Sequence, residues 1–411
     1  MQDNEALSRT APWPVVTLLA AAVFINYFDR GNLATASPVL QGQLGLSDWQ
    51  MGVVFSAFFW SYAPLQPLAG WLAQRYSVRY VLGCGLALWA LATMLMGLAT
   101  GFATLLLLRV ALGIGESVSY PCNAKFLSQQ TTLAERSAAN GVIAVGQALG
   151  PGCGTLAGGV LLVHFGWRPS FVLFGMLSLL WLGPWYLVTR TSAGQQPLIR
   201  GRATVSYREL LFTRSLWGTS LGHFCGNYAY YFTLTWLPLL LVKVHGFSVS
   251  QMAVIGACVY GAQALSAPLT GWLCNWWIRR GAGPGEVWKT TMVIGLCGVA
   301  AAMSVCATAD SRLAVGSLLV AGVFFGVQSA PLGSITQTLG GPSAAAQWMG
   351  IQNLCANMAG IVAPLLTAAV IQTTGNFVWA FIVAAGVTLT GAAAYPFVIG
   401  RVTPVIWANT P

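Results

Sequence analysis

The sequence predicts an all-α membrane protein of twelve spanning helices in two pseudo-symmetric bundles of six. Three observations carry this expectation. Hydrophobic residues make up 56% of the 411 positions and charged residues only 7%, with a mean hydropathy of +0.69; soluble domains carry about 25% charged residues. Apolar runs of about 20 residues, enough to cross a bilayer, recur along the whole chain. A hydrophilic gap near the middle separates two sets of runs that echo each other. The runs are long and continuous rather than short and alternating, which argues against a β-barrel.

Taken in order, the spans fall roughly at 14–38, 50–72, 79–98, 103–124, 137–162 and 169–190, then 215–242, 250–277, 288–308, 312–337, 346–372 and 376–400. The first is expected to remain as a span. Its approach holds Asp3 and Glu5 with only Arg9 as a base, unlike the basic start of a signal peptide. The gap at 191–214, TSAGQQPLIRGRATVSYRELLFTR, reads as a linker between an N-terminal bundle (1–190) and a C-terminal one (215–411). GWLAQRY at Gly70 closes span two and GWLCNWW at Gly271 closes span eight. Gly150 and Pro151 in span five are answered by Ala363 and Pro364 in span eleven. Repeats of this kind are expected where two bundles pack about a central cavity.

The net charge of +10 raises a nucleic-acid partner, which the placement of the charges argues against. Arg9, Arg75, Arg79, Lys125, Arg136, Arg190, Arg200, Arg202, Arg208, Arg214, Arg279, Arg280, Lys289 and Arg401 fall on one set of alternate loops and span ends, and only Arg168, Lys243 and Arg312 on the other. This is the positive-inside pattern. It predicts a multi-pass protein of a bacterial-type inner membrane with both termini cytoplasmic. The nine cysteines are scattered singly through apolar spans and read as small core residues, not a disulfide framework or metal site.

Four charges remain inside the membrane: Asp29 and Arg30 in span one, Arg109 and Glu116 in span four. Each costs about 2.5–3.5 kcal/mol at mid-bilayer unless paired or hydrated. Arg109 and Glu116, nearly two turns apart, share one helix face, which must look inward. Asp29 and Arg30 are adjacent and cannot point the same way. A purely structural ion-pair cluster is one reading, although such a cluster can be replaced by apolar packing at little loss. The other divides the labour by chemistry. Arginine stays charged and offers a planar fork matched to a carboxylate. Asp29 and Glu116 can carry protons, and a buried carboxylate whose arginine leaves to hold an anion takes one up. Proton binding is then coupled to anion binding.

Spans seven, ten and eleven add uncharged polar groups: Asn227, Tyr228, Tyr231, Ser334, Thr336, Gln337, Gln352, Asn353 and Asn357. Asn353 and Asn357 share a face. Singly, each serves equally well as interhelical glue; together they favour a polar cavity suited to a hydroxylated carboxylate. His223 could titrate near neutral pH, but a plain interfacial histidine is favoured. Of the aromatic run FFWSY at 58–62, only Tyr62 is taken as a ligand contact.

Twelve spans in two halves, with the G-x-x-x-x-R turn from Gly70 to Arg75 after span two, resemble the major facilitator superfamily. The superfamily pattern has an Asp and a Gly where this chain has Gln74 and Ser77, so the usual charge pairing at that gate is expected to be weaker. NYFDRGN at 26–32 and RVALGIGESVSYPCNAK at 109–125 resemble the anion:cation symporter family, as do FTLTWLP at 232–238 and GIQNLCANMAGIVAP at 350–364. The family includes galactonate, glucarate and hexuronate permeases. By that likeness Asp29 and Glu116 are proton-titrating acids, and Arg30 and Arg109 engage carboxylate and gate. Tyr62, Gln147 and Asn353 line the site. GQALGPGCG at 146–154 resembles the glycine-proline motif of superfamily antiporters and is read here as packing and hinge. Arg75, Arg79, Gly70, Gly150 and Pro151 are assigned gating or structural roles.

The resulting expectation is a proton-coupled importer of a small organic anion, a sugar acid such as a hexonate, aldarate or hexuronate. It would work as a monomer by alternating access, with the proton gradient as energy source and no cofactor. The rivals are a proton-driven antiporter or exporter and a non-transporting ligand sensor. No nucleophile–base set or metal-ligand spacing suggests an enzyme.

Overall fold

A computed structural model describes residues 12–193, 205–239, 241, 247–308 and 310–407. Arg9, Asp3 and Glu5 at the start, linker residues 194–204 with Arg200 and Arg202, and Lys243 lie outside the described residues.

The described segments are helices. The first six expected spans form α1 (Trp13–Leu44), α2 (Asp48–Tyr62) with α3 (Gln66–Arg75), α4 (Val78–Met96), α5 (Phe102–Glu116) with α6 (Ser119–Gln130), α7 (Leu133–Phe165), and α8 (Trp167–Leu180) with α9 (Leu182–Ala193). A short α10 (Tyr207–Leu211) lies in the linker. The remaining spans form α11 (Arg214–Leu239), α12 (Val249–Arg279), α13 (Pro284–Thr308), α14 (Ser311–Thr374) and α15 (Phe377–Phe397).

Three spans are broken in two, each for the same reason. Proline lacks an N–H and its ring clashes with the carbonyl four residues back. Pro67, Pro121 and Pro184 follow the breaks after Tyr62, Glu116 and Leu180. Helix α14 is the opposite case. Its 64 residues would reach about 96 Å if straight, against a hydrocarbon core of about 30 Å. The chain reverses at Gly341 (φ 59°, ψ −175°), a conformation open to glycine, and Pro342 starts the next helix. Spans ten and eleven are thus the two arms of α14.

The internal repeat extends further than the GWL motif. Ser47 and Gln50 form a capping box at the start of α2, and Ser248 and Gln251 form the equivalent one at the start of α12. In each the serine satisfies a free N–H of the first turn and the glutamine reaches back to the serine N–H.

Close helix contacts build each half. α7 lies along α1 through a stripe of glycines four residues apart. A Cβ on Gly146 would stand 2.3 Å from Ala20 O, on Gly150 2.8 Å from Phe24 O, and on Gly154 2.2 Å from Phe28 O. The glycine-proline motif is therefore occupied by backbone-to-backbone packing. Between the halves the pattern is two-fold. A Cβ on Gly70 of α3 would stand 2.6 Å from Ala346 O of α14, and one on Gly350 would stand 2.4 Å from Gln66 O. A Cβ on Gly271 of α12 would stand 2.3 Å from Ser137 O of α7, and one on Gly141 would stand 2.8 Å from Ala267 O. The two GWL glycines are equivalent points of closest approach across the interface.

These inter-half contacts gather toward the face that carries the linker. Arg136 Nη1 donates to Thr338 Oγ1 at 2.8 Å, Trp288 Nε1 to Ser137 Oγ at 2.5 Å, and Gln74 Nε2 to Pro342 O at 2.7 Å. Tyr207 of the linker donates to Pro67 O, and Gln347 Nε2 donates to Val205 O. The halves are closed on this face.

Candidate functional site

Above that closure a polar cavity separates the halves. Tyr27, Tyr62, Tyr120, Asn123, Asn140 and Gln147 line it from one side, and His223, Asn227, Tyr231, Gln263, Gln328, Gln337, Asn353 and Asn357 from the other. Its floor is a reciprocal amide pair. Asn140 Nδ2 donates to Gln337 Oε1 and Gln337 Nε2 to Asn140 Oδ1, both at 3.0 Å. On the first wall Tyr120 Oη donates to Gln147 Oε1 at 3.0 Å. On the second, Tyr231 Oη donates to Asn357 Oδ1 at 3.3 Å.

The four membrane charges form one cluster behind the tyrosines of the first wall. Arg30 donates through Nη2 (3.0 Å) and Nε (3.3 Å) to Glu116 Oε2, and through Nη2 to Asn26 Oδ1 at 3.1 Å. Its guanidinium carbon lies 4.6, 4.5 and 5.0 Å from the rings of Tyr27, Phe58 and Tyr62. Glu116 is fully buried, whereas 18% of the Arg30 side chain is exposed. Arg109 lies against the same Phe58 ring, 5.1 Å from its centroid, and donates Nε to Val54 O at 3.3 Å. Asp29 points elsewhere, accepting from Thr93 Oγ1 on α4 at 3.2 Å. Glu116 Oε1, Asp29 Oδ1 and Arg109 Nη1 are buried without a protein partner. Such groups are costly to leave unsatisfied, and here all three belong to ionisable side chains.

The cavity brings together some of the expected site residues and leaves others outside it. Tyr62, Gln147, Tyr231, Gln337, Asn353 and Asn357 line the cavity. Tyr228 does not: it is buried in the core of the second half with Phe232 and Ala229. At 100° per residue, position 228 lies off the stripe of 223, 227, 230 and 231 that faces the cavity. Ser334 is also displaced, sitting below the floor 3.3 Å from Ser137 Oγ and 3.4 Å from Asn140 Nδ2. Arg30 and Arg109 stand behind the wall rather than in it. His223, favoured as an interfacial residue, lines the cavity. Tyr27, Tyr120, Asn123, Asn140, Gln263 and Gln328 were missed, although amides inside apolar spans are themselves a signal. Phe58, passed over in FFWSY, carries both arginines.

At the turn between α3 and α4, Arg75 lies over the Trp71 ring at 5.7 Å, and Arg79 Nη2 donates to Tyr186 O at 3.1 Å; both contacts are within the first half. The cross-link at this turn is the neutral Gln74–Pro342 bond. Lys125, expected at a loop or span end, lies in α6 near the end of the fourth span. Its Nζ donates to the carbonyls of Ala73, Gln74 and Tyr76 at 2.8–3.0 Å, capping the end of α3 where a cation is favoured.

Two bundles closed on one face around a polar cavity between them define a multi-pass membrane transporter rather than an enzyme. The chain belongs to the Major Facilitator Superfamily, whose family model matches residues 19–285. It is 28% identical to the hexuronate transporter of Bacillus subtilis over 407 residues, covering 96% of this chain and 95% of that protein. It is 26% identical to a probable L-galactonate transporter of Escherichia coli over 417 residues, covering 97% and 91%. Among solved structures, the fold matches the transporter FucP in its outward conformation (TM-score 0.73, 16% identity, 93% of this chain and 98% of that one). It also matches the human organic anion transporter MFSD10 (TM-score 0.74, 19% identity, 93% and 99%).

Proposed function

We propose that this transporter takes up a small organic anion, a sugar acid such as a hexonate, aldarate or hexuronate, together with protons. The observation that carries the reading is the Arg30–Glu116 pair, fully buried at its acidic end and partly exposed at its basic end, with the guanidinium against the Tyr27 and Tyr62 rings that line the cavity. A substrate carboxylate arriving past Tyr27 and Tyr62 competes with Glu116 for the Arg30 fork. Glu116 is then left without its counter-charge in a site that water barely reaches. Binding a proton is the way such a carboxylate stays neutral. Anion and proton therefore enter the site together. Asp29, held by Thr93 away from the cavity, is a second proton carrier in this reading, and Arg109 steadies the cluster. Relatives named as hexuronate and galactonate transporters support the choice of substrate.

The distribution of Lys and Arg supports a linker face turned to the cytoplasm of a bacterial-type inner membrane. The described state is then closed to the cytoplasm, and a monomer suffices for rocking of the two halves about the cavity. Antiport drew its motive from the glycine-proline motif, whose glycines are accounted for by the packing of α7 on α1. Proteoliposomes loaded at neutral pH and diluted into acidic medium should accumulate labelled sugar acid above equilibrium. Accumulation only under the opposite gradient would establish exchange instead.

A further inference from the structure

Arg30 serves one wall of the cavity; the opposite wall has a chemistry of its own. His223 lines the cavity from α11 and sits at the end of a hydrogen-bond chain. Thr336 Oγ1 is 2.7 Å from Gln352 Oε1 and 3.1 Å from Leu332 O. The shorter contact takes the hydroxyl proton, which leaves Gln352 Nε2 facing His223 Nδ1 at 3.4 Å. Gln352 is fully buried, so no water competes for its amide, and Thr336 as donor to Oε1 sets its sense. An amide N–H at Nδ1 requires Nδ1 to accept, and the ring proton then resides on Nε2. A second proton on Nδ1 would set two donors face to face. The chain from Thr336 through Gln352 holds a neutral imidazole, with an Nε2–H that no protein group among the described residues accepts.

The surrounding wall is neutral as well. Gln328, Asn227 and Asn353 line the cavity with His223, and no Lys or Arg lines it among the described residues. A second carboxylate desolvated against this wall finds no counter-charge. A hydroxyl finds both donors and acceptors. We propose that His223 is a specificity-determining residue that donates Nε2–H to a hydroxyl oxygen at the end of the substrate remote from its carboxylate. The site thereby takes a monoanionic hydroxy acid in preference to a dicarboxylate. This rests on the proposed function, in which Arg30 holds the carboxylate.

The test is isothermal titration of the purified full chain with hexonates, their 6-deoxy analogues and the matching aldarates. The wild type should bind a hexonate about three- to tenfold more tightly than its deoxy analogue, and more than about tenfold more tightly than the aldarate. His223→Leu should bind hexonate and deoxy analogue alike, while His223→Gln, which keeps an N–H donor, should retain a preference. Should His223→Leu fail to fold, Gln352→Leu serves in its place: it frees the ring proton to move to Nδ1 and should narrow the same preference. Equal binding of the three ligand classes by the wild type overturns the proposal. So does an undiminished preference in His223→Leu or its stand-in. If hexonate binding is lost in Arg30→Ala while His223→Leu changes nothing, the transport reading stands and the role of His223 falls. Absence of binding by every acid to the wild type overturns both.

Discussion

Replacing Gly70 by alanine is expected to shift the transporter away from the state closed on the linker face. The new Cβ would stand 2.6 Å from Ala346 O and 3.0 Å from the Gln347 Cα, about 0.8 Å short of ordinary contact at 3.4 Å. Both neighbours are backbone of the opposite half, so no side chain can swing aside and the halves themselves must separate. Overpacking of this kind costs about 1–3 kcal/mol, and only the closed state bears it. The closed-to-open ratio should fall about 5- to 150-fold. The same holds for Gly271→Ala, whose Cβ would stand 2.3 Å from Ser137 O. Spin labels on the linker face, at Tyr76→Cys in one half and Arg280→Cys in the other, report the separation by pulsed electron resonance. The nine native cysteines are free and are replaced first. Gly52→Ala is the control, since a Cβ there meets nothing within 4 Å and alanine favours the helix. A distance distribution unchanged by both Gly70→Ala and Gly271→Ala would refute the reasoning.

Other outcomes follow from the cluster and the floor. Glu116→Gln should abolish gradient-driven accumulation in proteoliposomes while leaving substrate counterflow measurable; normal accumulation would remove its proton role. Arg30→Ala, which strands Glu116 in a buried site, should weaken substrate binding by at least about 30-fold, and Arg30→Lys, lacking the planar fork, should recover only part of it. Asn140→Ala and Gln337→Ala each remove one member of the reciprocal amide pair. A double-mutant cycle on the closed-state population should return a coupling of about 0.5–1.5 kcal/mol, and strict additivity would deny the pair a gating role. Gly154→Ala pushes a Cβ to 2.2 Å from Phe28 O and should lower the thermal midpoint of the purified protein, in contrast to Gly159→Ala, whose nearest neighbour is a Thr35 methyl at 3.8 Å.

Much of the architecture was legible because its causes are local. The bilayer requires about 20 apolar residues per span, and that requirement is written into each run separately. Composition and repeats were enough for twelve spans in two halves. Where a span divides into two helices, at residues 63–65, 117–118 and 181, a nearby proline explains the break and stood in the sequence to be read. The four membrane charges were also found from sequence, since each is costly wherever its side chain points.

What the sequence could not decide was direction. Asp29 and Arg30 are neighbours, yet one turns to Thr93 on α4 and the other to Glu116 on α5 beside the cavity. Tyr228 and Tyr231 are one turn apart, yet only the second reaches the cavity. His223 looked interfacial until α14 placed Gln352 against it from 129 positions away. The sequence by itself determined the class of protein, the spans and the identity of the buried charges, because these follow from the cost of placing a residue in hydrocarbon. Only the tertiary structure decided which charge meets which, which wall is neutral and which face is closed. Those depend on the partners that other helices bring, and the free energy of a buried polar group is set by its partner rather than by its own chemistry.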